Sequence, residues 1–381
     1  MLEDFLDKKP LFYDEIDYGR MPRIYKRISS YFDLRRVIHI VGTNGKGTTG
    51  RFLATALYNR GYNTGHYTSP HIRYFNERIW FNGSEVSMEV LNQQHQELLK
   101  ILTQEEADSL SYFEYTTLLA MFFFSKESDF VVLEAGLGGE HDATAVFENE
   151  LTLVTPIAKD HEAFLGNTIE MIAKTKLAAI QKTAILAPQE PAVYYVCDEL
   201  KKTKDIACFK AQELLTLQDH SNIETIAAKE NLADYLKSNL GVAVAALKYF
   251  NIAYEINDFE NARLFGRLTA LNENIIIDVG HNVLAAEAIV KALKGTKYRL
   301  VYNSYKDKNY REILKTLRPL IQSVAIIDVD NVRLEDRDAL EAVLNELAIE
   351  WNSFEALEAD ENYLVFGSFS VVEAFLEHYN G

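Results

Sequence analysis

The apolar positions of this chain alternate between two periods. Short, nearly continuous runs rich in β-branched residues, such as Val37-Ile38-His39-Ile40-Val41 and Phe130-Val131-Val132-Leu133, read as strands buried on both faces. Further strands are expected at 151–157, 184–187, 274–278, 298–302, 323–328 and 363–366. Between them lie segments of helical spacing. One runs through Thr48 to Leu57, with Gly61 as a C-cap; others are Met88 to Leu102, the almost wholly apolar Tyr112 to Phe124, 168–181 with Asn167 and Glu170 as a capping pair, and Val242 to Phe250. Residues 1–36 read as mostly helical, and 215–230 as a polar stretch. Strand–helix alternation over the whole length predicts an α/β protein with parallel, doubly wound sheets. A new unit starts near Gly266, so two domains are expected, 1–265 and a smaller 266–381.

Polar residues concentrate where the strands end. The first strand runs into Gly42-Thr43-Asn44-Gly45-Lys46-Gly47-Thr48-Thr49 and then a helix. Strand, glycine loop and helix N-terminus cradle phosphate: the loop turns backbone N–H groups toward the anion and the lysine adds a full positive charge. Thr48 would place a hydroxyl on magnesium. The common P-loop reads G-x-x-x-x-G-K-[ST], whereas Gly47 here stands between Lys46 and Thr48. The next informative strand ends in Glu134 before Ala135-Gly136-Leu137-Gly138-Gly139. In a parallel sheet that carboxylate reaches the ligand-binding end beside the phosphate loop, and magnesium takes hard oxygen ligands. An acid that merely caps the following turn is the plainer alternative. The strand at 151–157 delivers Lys159-Asp160-His161, and the helix after it carries Lys174 and Lys176. A single histidine is commonly structural and a helical lysine commonly solvated.

Composition narrows the reading. At 381 residues, 48% hydrophobic and 12% aromatic, the chain can bury two substantial cores. Its net charge of −17 disfavours nucleic acid and anionic membranes as main partners. The two cysteines, Cys197 and Cys208, make neither a metal pattern nor a disulfide framework and read as lone thiols. The acidic N-terminus lacks the build of a signal peptide, and the most apolar run is too short to span a bilayer; a cytoplasmic protein is expected.

Taken in order, these motifs resemble the folylpolyglutamate synthase/dihydrofolate synthase family of the wider Mur ligase group. The family's G-T-N-G-K-G-[ST] loop fits Gly42 to Thr48. Its [YT]-[ST]-S-P-H-L…E-R block fits Tyr67-Thr68-Ser69-Pro70-His71-Ile72 with Glu77-Arg78, and its L-E-x-G-L-G-G-R-L-D-A-T-N block fits Leu133 to Ala145. D-H-x-x-x-L-G fits Asp160 to Gly166, G-R-L fits Gly266-Arg267-Leu268, D-x-A-H-N-P fits Asp278 to Val283, and K-D and G-S-[FL] fit Lys306-Asp307 and Gly367-Ser368-Phe369. Departures are Glu140-His141 for Arg-Leu, altered neighbours of Lys176 (Thr175, Leu177 and Ala178), and Val283 for proline.

The resemblance implies a P-loop ATPase domain of Mur ligase type followed by a Rossmann-like C-terminal domain. The implied reaction uses ATP to phosphorylate a substrate carboxylate, after which the amine of L-glutamate attacks the acyl phosphate. Its substrates are dihydropteroate and tetrahydrofolate polyglutamates, in folate biosynthesis and one-carbon metabolism. Residue by residue, it assigns ATP to Thr43, Asn44, Gly45, Lys46, Gly47, Thr48, Thr49, Asn239, Arg267 and Asp278, the last two from the C-terminal domain. Magnesium, at two sites, falls to Thr48, Ser69, Glu134 and His161, with Lys176 matching a carbamylated lysine that orients the second ion; His281 supports the site. The pterin pocket falls to Ile16, Asp17, Tyr18, Tyr112, Phe113, Glu114, Asp142 and Ala143. A monomer is expected. Alternatives are a polyglutamate ligase alone, a ligase of cell-wall precursors, and a nucleotide-binding paralogue without catalysis.

Overall fold

The computed structural model describes residues 1–10, 17–160, 162–359 and 361–380. The chain forms two compact units, Met1–Leu232 with Leu236–Ala262, and Ala233–Tyr235 with Arg263–Gly381.

The first unit is built on eight strands: β1 Arg36–Val41, β2 Thr64–Tyr67, β3 Ile79–Phe81, β4 Ser84–Glu85, β5 Phe130–Glu134, β6 Leu151–Val154, β7 Thr183–Leu186 and β8 Ala207–Lys210. Their order is β4-β3-β2-β5-β1-β6-β7-β8, and every neighbouring pair is parallel except β2–β3 and β3–β4, which are antiparallel. Alternation along β1 divides the core. Ile38 and Ile40 pack with Phe52, Leu53 and Leu57 of helix Lys46–Asn59 and with helix Asp234–Tyr249. Val37 lies on the opposite face with Leu118, Leu119 and Met121 of helix Tyr112–Glu127. Each such fully buried Leu or Ile contributes about 1.5–3 kcal/mol over an exposed one. Burial on both faces explains why these strands are continuous apolar runs rather than alternating ones.

The register fixes the site. Ile40 pairs with Glu134 and Val41 with Val154, so the loops after β1, β5 and β6 leave the same end of the sheet at the same level. At the far edge, Asn82 (φ 45°) and Gly83 (φ 96°) turn β3 into β4 through a two-residue hairpin.

The second unit carries β9 Thr269–Ala270, β10 Ile275–Ile277, β11 Tyr298–Tyr302, β12 Ile321–Ile326, β13 Trp351–Ser353 and β14 Tyr363–Phe366. The order is β13-β12-β11-β14-β10-β9, parallel except for β9. Leu300, Tyr302, Val324, Leu364 and Phe366 pack with Ala286, Ile289, Ile313 and Leu317 of the covering helices.

Three elements differ from the sequence reading. The helix expected over 168–181 is Ile169–Leu177, and its cap is Thr168, whose extended backbone lets its hydroxyl accept from Met171 N, rather than Asn167. It closes early because Ala179 N and Ile180 N bond three residues back, to Lys176 O and Leu177 O. The polar stretch near 215–230 is helix Leu217–Lys229, opened by a Thr216–Asp219 capping box. The helix expected from Val242 begins at Asp234. Among the described residues no helix is long and apolar enough to cross a membrane.

Candidate functional site

The phosphate loop is held from beneath by the segment that follows β6. Thr43 N and Asn44 N both donate to Pro156 O (2.9 and 3.4 Å), and the Thr43 hydroxyl bridges Ala158 O and Ala158 N (3.1 and 3.0 Å). Gly42 sits at φ +146°, and a Cβ there would come within 2.8 Å of the Thr155 carbonyl oxygen. Only glycine combines that backbone with that approach. Gly45 is the N-cap of helix Lys46–Asn59, and its Cα faces the Asn239 carboxamide, 2.9 Å from Nδ2 to a built Cβ. Buried Asn239 thus lies against the loop although almost two hundred residues separate them in sequence. Thr48 and Thr49 are buried in the first turn of the helix.

Lys46 curls back over the loop. Its Nζ donates to Thr43 O at 3.3 Å and stands 3.9 Å from Glu134 Oε1. The other Glu134 oxygen accepts from the Thr68 hydroxyl and from Ser69 N at 3.3 Å. Thr68, which the sequence does not single out although it sits in the Tyr67-Thr68-Ser69 run, thus holds Glu134 by its side chain.

Thr48, Ser69 and Glu134 offer hydroxyl and carboxylate oxygens at the loop end of β1, β2 and β5, a hard donor set that fits magnesium. No three of His, Cys, Asp and Glu gather as a metal cage among the described residues; His161 lies outside them.

Lys176 is buried and donates to Leu137 O at 2.6 Å, which brings it under the Gly138 turn. Burial, then the neighbouring Lys46 ammonium, pull its pKa from 10.5 to about 7, against the pull of Asp160 and Asp142. A buried lysine poised in that range is a nucleophilic amine at neutral pH.

Asp142 organises the loop after β5. Its Oδ2 accepts from Gly138 N (2.8 Å), and its Oδ1 accepts from Thr144 N and the Thr144 hydroxyl (3.0 and 2.6 Å). Because that hydroxyl donates to Asp142, it accepts from His39 Nε2 at 2.8 Å. Burial pushes the His39 pKa down to about 4, so a neutral ring with its proton on Nε2 completes the chain. Ala143, the next residue, is buried. Phe113 lies beside Gly136, as does the Asp142 carboxylate.

The other expected pocket residues make contacts of their own. Tyr112 stacks under the Arg78 guanidinium (5.2 Å), which also donates to His71 Nδ1 at 2.7 Å. Glu114 is engaged by Arg20 (2.8 Å) and closes a capping box with Ser111. Asp17 pairs with Arg23 and accepts from Gly19 N at 2.9 Å, while the exposed Tyr18 ring lies 4.8 Å from His141. Ile16 lies outside the described residues.

In the second unit, buried Asp278 ends β10. It accepts from Leu268 N (2.8 Å), Gly280 N (2.7 Å) and Tyr235 Oη (3.2 Å). Burial raises its pKa, with Arg267 pulling the other way. Arg267 is braced over the Phe369 ring at 5.1 Å, and His281 Nδ1 lies 3.1 Å from Val279 O. Arg267, Asp278 and His281 thus share the loop end of β10, and Tyr235 is an addition that no local pattern announces.

No family model matches the chain. Its sequence is similar to the dihydrofolate synthase/folylpolyglutamate synthase of Buchnera aphidicola subsp. Schizaphis graminum, 31% identical over 366 residues that cover 88% of this chain and 86% of that protein. Its structure is similar to the folylpolyglutamate synthetase of Helicobacter pylori, with TM-score 0.80 and 37% identity over 100% of this chain and 98% of that one. It is also similar to E. coli FolC in complex with DHPP and ADP, with TM-score 0.82 and 26% identity over 100% and 97%.

Proposed function

Because the chain belongs to the dihydrofolate synthase/folylpolyglutamate synthase family, we propose that it is an ATP-dependent ligase joining L-glutamate to the carboxylate of dihydropteroate and to the γ-carboxylate of reduced folates. The observation that supports this most strongly is the convergence of Lys46, Glu134 and Asn239 on the loop 42–49. A carboxylate acylates amines poorly, so its activation as an acyl phosphate is the step the site must promote. The N–H groups of the loop and helix N-terminus bind the phosphates, and Lys46 offsets charge that builds on the transferring phosphoryl group. The substrate carboxylate attacks that phosphorus, ADP leaves, and the glutamate amine then displaces phosphate from the acyl carbon. Thr48, Ser69 and Glu134 would hold magnesium, which supplies further charge neutralisation on the phosphates.

The remaining assignments follow the same frame. Asn239 restrains the loop, and Arg267, Asp278 and His281 are the further residues assigned to the nucleotide. Lys176 takes up carbon dioxide: its neutral amine attacks the carbon, an N–C bond forms and a proton leaves. The resulting carbamate puts an anion beside Lys46 in place of a second cation, and its oxygens can serve a second magnesium. Tyr18, Tyr112 and Phe113 supply aromatic surface for the pterin, with Asp142 and Ala143 shaping the wall. We take the protein to be a cytoplasmic monomer that accepts tetrahydrofolate polyglutamates as well as dihydropteroate. Purified protein with ATP, magnesium and L-glutamate, given dihydropteroate or tetrahydrofolate in separate tubes, tests this. Glutamylated product by mass is expected in both. Product from tetrahydrofolate alone reduces the activity to polyglutamate ligation, and no glutamate-dependent ADP in either tube overturns the proposal.

A further inference from the structure

The chain has two cysteines in 381 residues, and the fold brings them together. Cys197 lies in the helix Pro191–Lys201, and Cys208 in the edge strand β8 that follows it. Their sulfurs are 2.8 Å apart. The turn between them is tightly bonded, with Thr203 N and Lys204 N both donating to Leu200 O (3.1 and 2.9 Å) and Lys204 Nζ donating to Ala178 O at 2.7 Å. Cys197 is buried among Val193, Ala184 and Leu186, while Cys208 is partly exposed at the sheet edge, paired in register with Ala184. Both thiols are free, as expected from the sequence, but they are not remote: helix and strand each turn one sulfur into the same interlayer space.

We propose that Cys197 and Cys208 form a reversible oxidation site, an intrachain disulfide that staples edge strand β8 to the helix Pro191–Lys201. The sulfurs need to close by only ~0.8 Å to reach bonding distance, so the backbone of helix and strand can stay in place. Roles follow from position. Cys208 is the less buried residue of the two, and it accepts the hydrogen bond from Cys197, which lowers its pKa and raises that of Cys197. The Lys201 ammonium stands by the same pair and favours thiolate. The Cys208 thiolate attacks hydrogen peroxide: an S–O bond forms, the O–O bond breaks, hydroxide leaves, and sulfur is oxidised to a sulfenic acid. Cys197 sulfur then attacks Cys208 sulfur. The S–S bond forms as the S–O bond breaks, and the Cys197 proton leaves with the departing hydroxide as water. A dithiol such as dithiothreitol reverses the change by exchange.

The test is intact-mass spectrometry and thiol titration of the full-length protein after hydrogen peroxide, with and without subsequent dithiothreitol. The expected product is lighter by two hydrogen atoms, has no free thiol, yields a peptide cross-linked through Cys197 and Cys208, and reverts in dithiothreitol. Cys197→Ser is expected to leave a Cys208 sulfenic acid that dimedone traps, and Cys208→Ser to leave Cys197 unmodified under the same exposure. Both variants keep the neighbouring packing, and circular dichroism checks that they fold. Addition of oxygen atoms without loss of hydrogen, disulfide-linked dimers in place of the internal bond, or equal reactivity of the two single variants overturns the proposal.

Discussion

At the scale of single residues, two lysines of the first unit, partly buried Lys46 and buried Lys176, carry opposite assignments. Lys46 is needed as a cation, and it is held at 3.9 Å from Glu134 where a phosphate oxygen would compete for it. Lys46→Ala is expected to lower kcat by about 10²–10³-fold while leaving the melting temperature nearly unchanged, as steady-state kinetics and calorimetry would read. Lys176 is needed as a neutral amine. Burial, then the nearby Lys46 ammonium, pull its pKa in the folded chain from the ordinary 10.5 down to about 7. Between those values the unfolded chain holds a proton that the native chain lacks, so this group makes stability rise with pH from about 7 toward 10.5. The slope is at most ~1.4 kcal/mol per pH unit. Lys176→Met is expected to remove that component, so that urea melts from pH 7 to 9 show a smaller rise than in the parent protein. The same amine gives the carbamate its signature: with ¹³C-labelled bicarbonate, a carbamate carbon resonance is expected in the parent and absent in Lys176→Met. Retention of the resonance in the variant would assign it to another amine.

At the scale of elements, what a local pattern could announce was legible, and what depends on distant partners was not. The run into Gly42, the acid at Glu134 and the buried helix Tyr112–Glu127 each declare themselves within a dozen residues, because burial on both faces and phosphate binding leave strong local marks. The contacts that give them meaning come from elsewhere. Gly42 is required because Thr155 packs on it, and Gly45 meets Asn239 from another helix. Gly42→Ala is therefore expected to cost about 2–4 kcal/mol in denaturant unfolding, through both its positive φ and the Thr155 carbonyl. A cost below the error of the melt would show that the loop can relax away from Thr155. The Asn167 cap failed for a related reason: Asn167 and Thr168 both suit a cap, and only the entry angle of the chain selects between them. The Cys197–Cys208 pair was invisible because no spacing rule connects a helix position to an edge-strand position across a turn.

At the scale of the whole molecule, a chain of net charge −17 handles anionic substrates by concentrating cationic groups at a few strand ends rather than over its surface. In the first unit these are Lys46 and the N–H groups of loop 42–49, and in the second Arg267 at the end of β10. Alternating strands and helices announced both sheets, and the motifs that resemble the family lie at the ends of β1, β2, β5, β6, β10, β11 and β14. The short strands β4, β9 and β13 were not legible, because two or three residues give no periodicity. The central claim is that ATP activates a substrate carboxylate before glutamate attacks. Its most direct test is a reaction with dihydropteroate labelled with oxygen-18 in its carboxylate, followed by mass analysis of the inorganic phosphate. The predicted result is one labelled oxygen in each phosphate released with product. Amide product accompanied by unlabelled phosphate would contradict the acyl-phosphate route.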